Sequence, residues 1–139
     1  MKKLVALFFV LLLATGCKKQ HNTPEGPTDV RIRNLSDQTF KDVVVITSEK
    51  NGDTLSYGTI SSGTVSGYFR FKKAYPKALV SANINLGGNN IKYTTGPVDF
   101  TYMQYIGRDR ITFEVNISDP VSHSLIISNV IEEEPLALK

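Results

Sequence analysis

The sequence predicts an all-β domain, an antiparallel β-sandwich of about seven to nine short strands and immunoglobulin-like in type. Three observations predict it. Apolar and polar residues alternate with period two in several stretches, turn-forming residues recur between those stretches, and no window of a dozen residues carries a 3.6-residue period. The chain has no Trp and one Cys, so the Cys–Trp–Cys core of true immunoglobulin domains is missing.

Taken in order, Val30-Arg31-Ile32-Arg33 is a short alternating strand near the start of the domain. Val43-Val44-Val45-Ile46 is β-branched on both faces, which suits a central strand covered on both sides. Lys50-Asn51-Gly52-Asp53 contains an Asn-Gly pair, which tolerates the positive φ of a tight hairpin. It joins a strand ending near Ser48 to one starting near Thr54. Ser61-Ser62-Gly63 is the next turn signal, and Pro76 limits any helical turn between Phe71 and Ala78. From Ala78 to Leu86 the alternation is broken only by Leu79, and Gly87-Gly88-Asn89-Asn90 follows as a turn. Val98, Phe100 and Tyr102 share one face of a further extended stretch, and Ile106 to Asp109 is another turn. Ile111 to Ser118 alternates without a break. Asp119-Pro120 interrupts the chain before a final strand around Leu125-Ile126-Ile127, which is apolar on both faces like Val43–Ile46.

The first residues have a different organisation. Met1-Lys2-Lys3 is a short positive segment, Leu4 to Leu13 is almost purely apolar, and Ala14-Thr15-Gly16 are small residues ahead of Cys17. This is the three-part architecture of an export signal. Crossing a bilayer takes about 20 apolar residues, twice the length of this run, so it reads as a transient signal. Leu13-Ala14-Thr15-Gly16-Cys17 resembles the lipobox of bacterial lipoproteins, with Ala14 where the family usually has Leu. The resemblance implies cleavage after Gly16 and a lipid-modified Cys17. One acyl chain holds a protein only marginally and two or three hold it stably, so such a cysteine anchors the chain without a spanning helix. In that family an Asp after the cysteine favours the inner membrane. Lys18 stands there, and no acidic cluster follows, which implies the outer membrane facing the periplasm.

The organisation that follows is a signal peptide (1–16), a lipidated cysteine and tether (17–27), a β-domain (28–131) and a tail (132–139). The tether is polar with Pro24, Gly26 and Pro27, and its His21 reads as solvated. About 120 residues remain after cleavage, the size of one domain. Two of the formal +3 charges are Lys2 and Lys3, so the mature chain is near neutral, which argues against a nucleic-acid partner. With Cys17 modified no disulfide can form, and stability must come from an apolar core.

No constellation of catalytic or metal-ligating residues stands out, and no cofactor or metal is expected. The chain has two His, at 21 and 123, and no Asp-rich loop. It has no G-x-S-x-G elbow and no S-x-x-K. A hydrolase would have to be built on His123. Asp99 and Glu114 read as solvated rather than as an opposed glycosidase pair. The densest local cluster is Tyr68-Phe69-Arg70-Phe71-Lys72-Lys73-Ala74-Tyr75. Rings bury area rigidly and Arg stacks on them, so Tyr68, Arg70, Lys72 and Tyr75 form one candidate binding face, and Tyr102 and Tyr105 a second. The plainer alternative puts Phe69 and Phe71 in the core, with Tyr68, Arg70 and Lys72 on the solvent face of an edge strand.

From Val30 to about Ile117 the chain resembles a group of small envelope lipoproteins of Gram-negative bacteria with no assigned activity. Val30 to Ser36, Asp42 to Val45, Tyr68 to Tyr75 and Pro97 to Phe100 carry the resemblance. It implies a compact β-domain on a lipid tether and brings no catalytic residues. The functional expectation is a non-enzymatic binding or assembly module engaging an envelope protein through exposed aromatics or a free strand edge. A glycan-binding accessory protein is the alternative, supported by the tyrosines and weakened by the lack of Trp.

Overall fold

The computed structural model describes residues 27–47 and 53–133, and within them the chain forms eight strands and no helix. The strands are β1 (Thr28–Asn34), β2 (Phe40–Ile46), β3 (Thr54–Ile60), β4 (Phe69–Phe71), β5 (Leu79–Leu86), β6 (Asn89–Thr94), β7 (Arg110–Asp119) and β8 (Ser124–Glu133). They hydrogen-bond in the order β3-β2-β5-β6-β8-β7-β1-β4. Three hairpins, β2–β3, β5–β6 and β7–β8, supply the local pairings.

Period-two alternation decides which side of each strand is buried. Val30 and Ile32 of β1, Val43 and Val45 of β2, Val80, Ala82 and Ile84 of β5, and Ile111, Phe113 and Val115 of β7 all point into one core. Phe40, Phe71 and Tyr93 close it, each at most 1% exposed. The sheet folds over on itself so that β3-β2-β5-β6 covers β8-β7-β1-β4. The halves join at one corner through a single residue pair, Thr94↔Ser124. At the opposite side the two edges, β3 and β4, close against each other through side chains. The Tyr57 and Phe69 rings lie 4.5 Å apart, and the buried Tyr57 hydroxyl donates to the Val30 carbonyl at 2.8 Å.

The all-β expectation and the number of strands hold, but several details differ. The sheet is mixed: β1 runs parallel to β7 over six residue pairs, and β6 parallel to β8 at its single pair. The halves are therefore hydrogen-bonded into one nearly closed sheet, rather than forming the two separate sheets of an immunoglobulin sandwich. The chain crosses between halves after β1, β3, β4 and β6, so β1 has no hairpin partner and pairs only with distant strands, antiparallel to β4 and parallel to β7.

Residues 95–109 form no strand, although Val98, Phe100 and Tyr102 alternate. Gly96, at φ +80°, turns the chain away from β6, and Pro97 has no N–H to give a ladder. Phe100 is buried, whereas Tyr102 is 97% exposed. The two runs read as covered on both faces are covered on one: Val44 and Ile46 are half-buried, and Ile126 is 48% exposed. β8 continues through Glu133, past the expected start of the tail at 132, because the Glu133 side chain is held from three sides, as described below. Gly16, Cys17, the tether with His21, the Asn51-Gly52 turn and residues 134–139 lie outside the described residues. The strands flanking that turn pair antiparallel, as the Asn-Gly signal requires.

Candidate functional site

The structure divides the six candidate binding residues between two regions. On the outer face of β4, β1, β7 and β8 alternate residues point outward and build a polar network. The Tyr68 ring lies between two guanidinium groups, with Arg31 Cζ 4.7 Å and Arg110 Cζ 4.5 Å from its centroid. The Tyr68 hydroxyl donates to Glu133, whose carboxylate also accepts from Arg31 at 2.6 Å and from the Thr112 hydroxyl at 2.9 Å. The bond from Tyr68, with help from Thr112 and Arg31, holds Glu133 below the usual carboxylate range. Burial and the bond to Glu133 push the Tyr68 phenol up. Arg70 sits on the same face in a two-pronged pair with Asp29, at 2.8 and 3.1 Å. The Tyr68 ring and the Arg70 charge are thus engaged within the molecule, and of the two phenylalanines that the edge-strand alternative puts in the core, Phe71 is buried and Phe69 is 37% exposed. The Nε of Arg110 is the one buried side-chain donor without a hydrogen-bond partner among the described residues.

Lys72, Tyr75, Tyr102 and Tyr105 lie at the end of the domain where the chain enters β1. There the segments 72–78 and 95–109 are stitched together. Ile106 N–H donates to the Ala74 carbonyl at 2.8 Å, the Thr28 hydroxyl donates to the Gly107 carbonyl, and Asp29 N–H donates to Asp109 at 2.9 Å. Tyr75 packs on Phe100 and Tyr105, with ring centroids 5.1 and 6.3 Å away, and the Lys73 ammonium lies 5.4 Å from the Tyr105 ring centroid. Lys72 is exposed, and its backbone N–H donates to Asp53. Tyr102 rides on a tight turn closed by Met103 N–H donating to the Phe100 carbonyl at 3.1 Å. Asp99 caps that turn through the N–H and hydroxyl of Thr101, and those bonds keep its carboxyl below the ordinary aspartate value. The two patches expected from the sequence therefore regroup. Tyr75 leaves Tyr68 and joins Tyr105.

A third feature was not read from the sequence. Beyond Thr94↔Ser124 the chain leaving β6 turns back onto β5. Thr95 N–H donates to the Val80 carbonyl at 3.0 Å, and its hydroxyl accepts from Val80 N–H at 3.0 Å. The side of β8 turned away from β7 consequently faces no described strand after Ser124. A groove of about 790 Å³ opens between it and the segments 76–78 and 95–103. Ala78 and Leu125 lie at its base, Val98, Met103, Ile126 and Val130 supply apolar walls, and Lys77 and Asp99 bring opposite charges. The register of β7 and β8 skips Ser128, a bulge on the groove strand whose hydroxyl donates to the Glu114 carbonyl at 3.1 Å. Nothing local in the sequence announces this groove, because β8 lies more than twenty residues along the chain from the segments that face it.

His123 sits in the β7–β8 turn at φ +54°, its ring 5.1 Å from that of Tyr93. The nearby hydroxyl of Ser122 donates to Asp119 at 2.7 Å, and Ser122 and Val121 hold Asp119 below the usual range. These bonds close the turn. No group of three or more His, Cys, Asp or Glu residues placed to hold a metal occurs among the described residues.

No protein-family model and no curated protein matches the chain. Among solved structures it is similar to the NMR structure of a protein from Eubacterium rectale. The likeness has 15% identity and a TM-score of 0.47, and covers 82% of this chain and 96% of that one.

Proposed function

We propose that this chain is a lipid-anchored protein of the bacterial cell envelope, held through Cys17 at the periplasmic face of the outer membrane. Its domain acts there as a non-catalytic module that binds an extended segment of another envelope polypeptide. The observation that carries the reading is the parting of β6 from β8. It leaves one side of β8 without a described strand neighbour beyond Ser124, beside a trough of about 790 Å³ lined by both apolar and polar side chains. An added strand would find main-chain partners on β8 and room for alternate side chains against Met103, Val98 and Ile126. Tyr68 and Arg70, engaged in internal pairs, are structural in this reading.

Photo-crosslinking in cells tests it, with p-benzoylphenylalanine in place of Ile126 or, separately, of Tyr68 in the full-length protein. One dominant adduct from position 126, and none from position 68, is the expected pattern. Adducts from position 68 alone would overturn the groove as the site. Glycan binding has one observation of its own, the 97% exposure of Tyr102. Selectivity on a glycan array that disappears in Tyr102→Ala would favour that second reading.

A further inference from the structure

We infer that the end of the domain built from residues 72–78 and 95–109 rests on the bilayer surface, with Tyr102 and Tyr105 at the level of the lipid headgroups. This rests on the lipoprotein reading of Cys17 given above and goes beyond it by naming the face and its partner.

The first argument is reach. Thr28, the first residue of β1, lies eleven residue steps along the chain from Cys17. Eleven steps span at most about 36–40 Å fully extended, and about 17–20 Å as a random coil. β7, the partner of β1, has ten residues and is about 33 Å long. Laying the opposite end on the membrane would require the tether to run the whole length of the domain, close to its full extension. Laying the β1 entry end down costs it almost nothing.

The second argument is the chemistry of that end. Three of the six tyrosines are there, Tyr75, Tyr102 and Tyr105, and Tyr102 is the most exposed large apolar residue described. Tyrosine, with an apolar ring and a polar tip, settles at membrane–water interfaces. Lys73 lies over the Tyr105 ring, where its ammonium can reach headgroup phosphates. The segments 72–78 and 95–109 carry four exposed cations, Lys72, Lys73, Lys77 and Arg108, and the neighbouring Arg70 is neutralised by Asp29. Asp99 and Asp109 of the same segments, with Asp53 bonded to Lys72 N–H and Glu132 paired to Ile111, match those four in number, so contact does not depend on anionic lipid. The opposite end carries Asp37 and Asp119 and has no exposed ring.

The test uses the lipidated full-length protein purified from membranes and reconstituted in phosphatidylcholine vesicles. Mass spectrometry first records the state of Cys17. Nitroxide labels are then placed through Gln104→Cys at the tyrosine end or Val121→Cys at the far end. Their collision rates with oxygen and with a water-soluble nickel complex are compared. The label at 104 should favour oxygen several-fold over the label at 121, with little change between low and high salt. Tyr102→Ser together with Tyr105→Ser should bring position 104 most of the way to the value at 121. A bare Cys17 would defeat the lipoprotein reading, and this inference with it. A lipidated Cys17 with both labels equally aqueous, or with 121 the deeper, would overturn the inference alone.

Discussion

Glu133 ties the last strand to the outer face through Tyr68, Arg31 and Thr112, and its carboxyl sits below the ordinary range. A carboxyl depressed by folding adds stability above its unfolded value of about 4.3, and that stability is lost as pH falls through the folded value. The melting temperature should therefore fall with acidification more in the wild type than in Glu133→Gln, and the gap between them should narrow from pH 6 to pH 3. Thermal melts at a series of pH values check this. Such a role was out of reach of sequence reading. Tyr68 stands out beside Arg70 and Lys72, but the groups that engage it, Arg31, Arg110 and Glu133, are tens of residues away. Phe69 shows the same limit in the other direction. It alternates with Phe71, which is fully buried, yet it is 37% exposed and packs on Tyr57 at the seam between the two sheet edges.

At the scale of elements the corner after β1 is the most constrained. Asn34 is fully buried and its amide group donates to the carbonyls of Gln38 and Ile60, at 2.7 and 3.1 Å. Its oxygen accepts from the N–H and the hydroxyl of Ser36. One side chain thus shapes the 34–38 turn and fastens it to the end of β3. Asn34→Ala leaves several of these groups buried without partners, at a cost of about 1–3 kcal/mol, measured as a lower urea midpoint with unchanged slope. Strands with an unbroken alternation, such as β7, were legible because one face is core and the other polar. β6 was not, because Asn89 and Asn90 read as part of a turn and, of the strand's residues, Tyr93 alone is buried. The stretch from Val98 to Tyr102 misled for the converse reason. Its alternation is real, but Gly96 and Pro97 carry it off the sheet.

For the molecule as a whole, the groove and the core are separable. Ile126 is 48% exposed on the groove wall, so Ile126→Arg should change stability by no more than about 0.5 kcal/mol. It should nevertheless abolish the crosslinked adduct, scored with the photo-reactive residue moved to Met103. Strand count and class were legible from patterning, whereas the parallel pairings and the split between β6 and β8 depend on which distant segments meet. The parallel β1–β7 ladder also bears on how the chain acquires its shape. β1 has no neighbour within reach of a short turn: it pairs with β4 some forty residues later and with β7 some eighty residues later. Closing loops of that length is a slow, non-local event. The first of the described strands is therefore among the last to find its place, and a chain emerging N-terminus first leaves β1 without its β7 partner until β7 has been delivered.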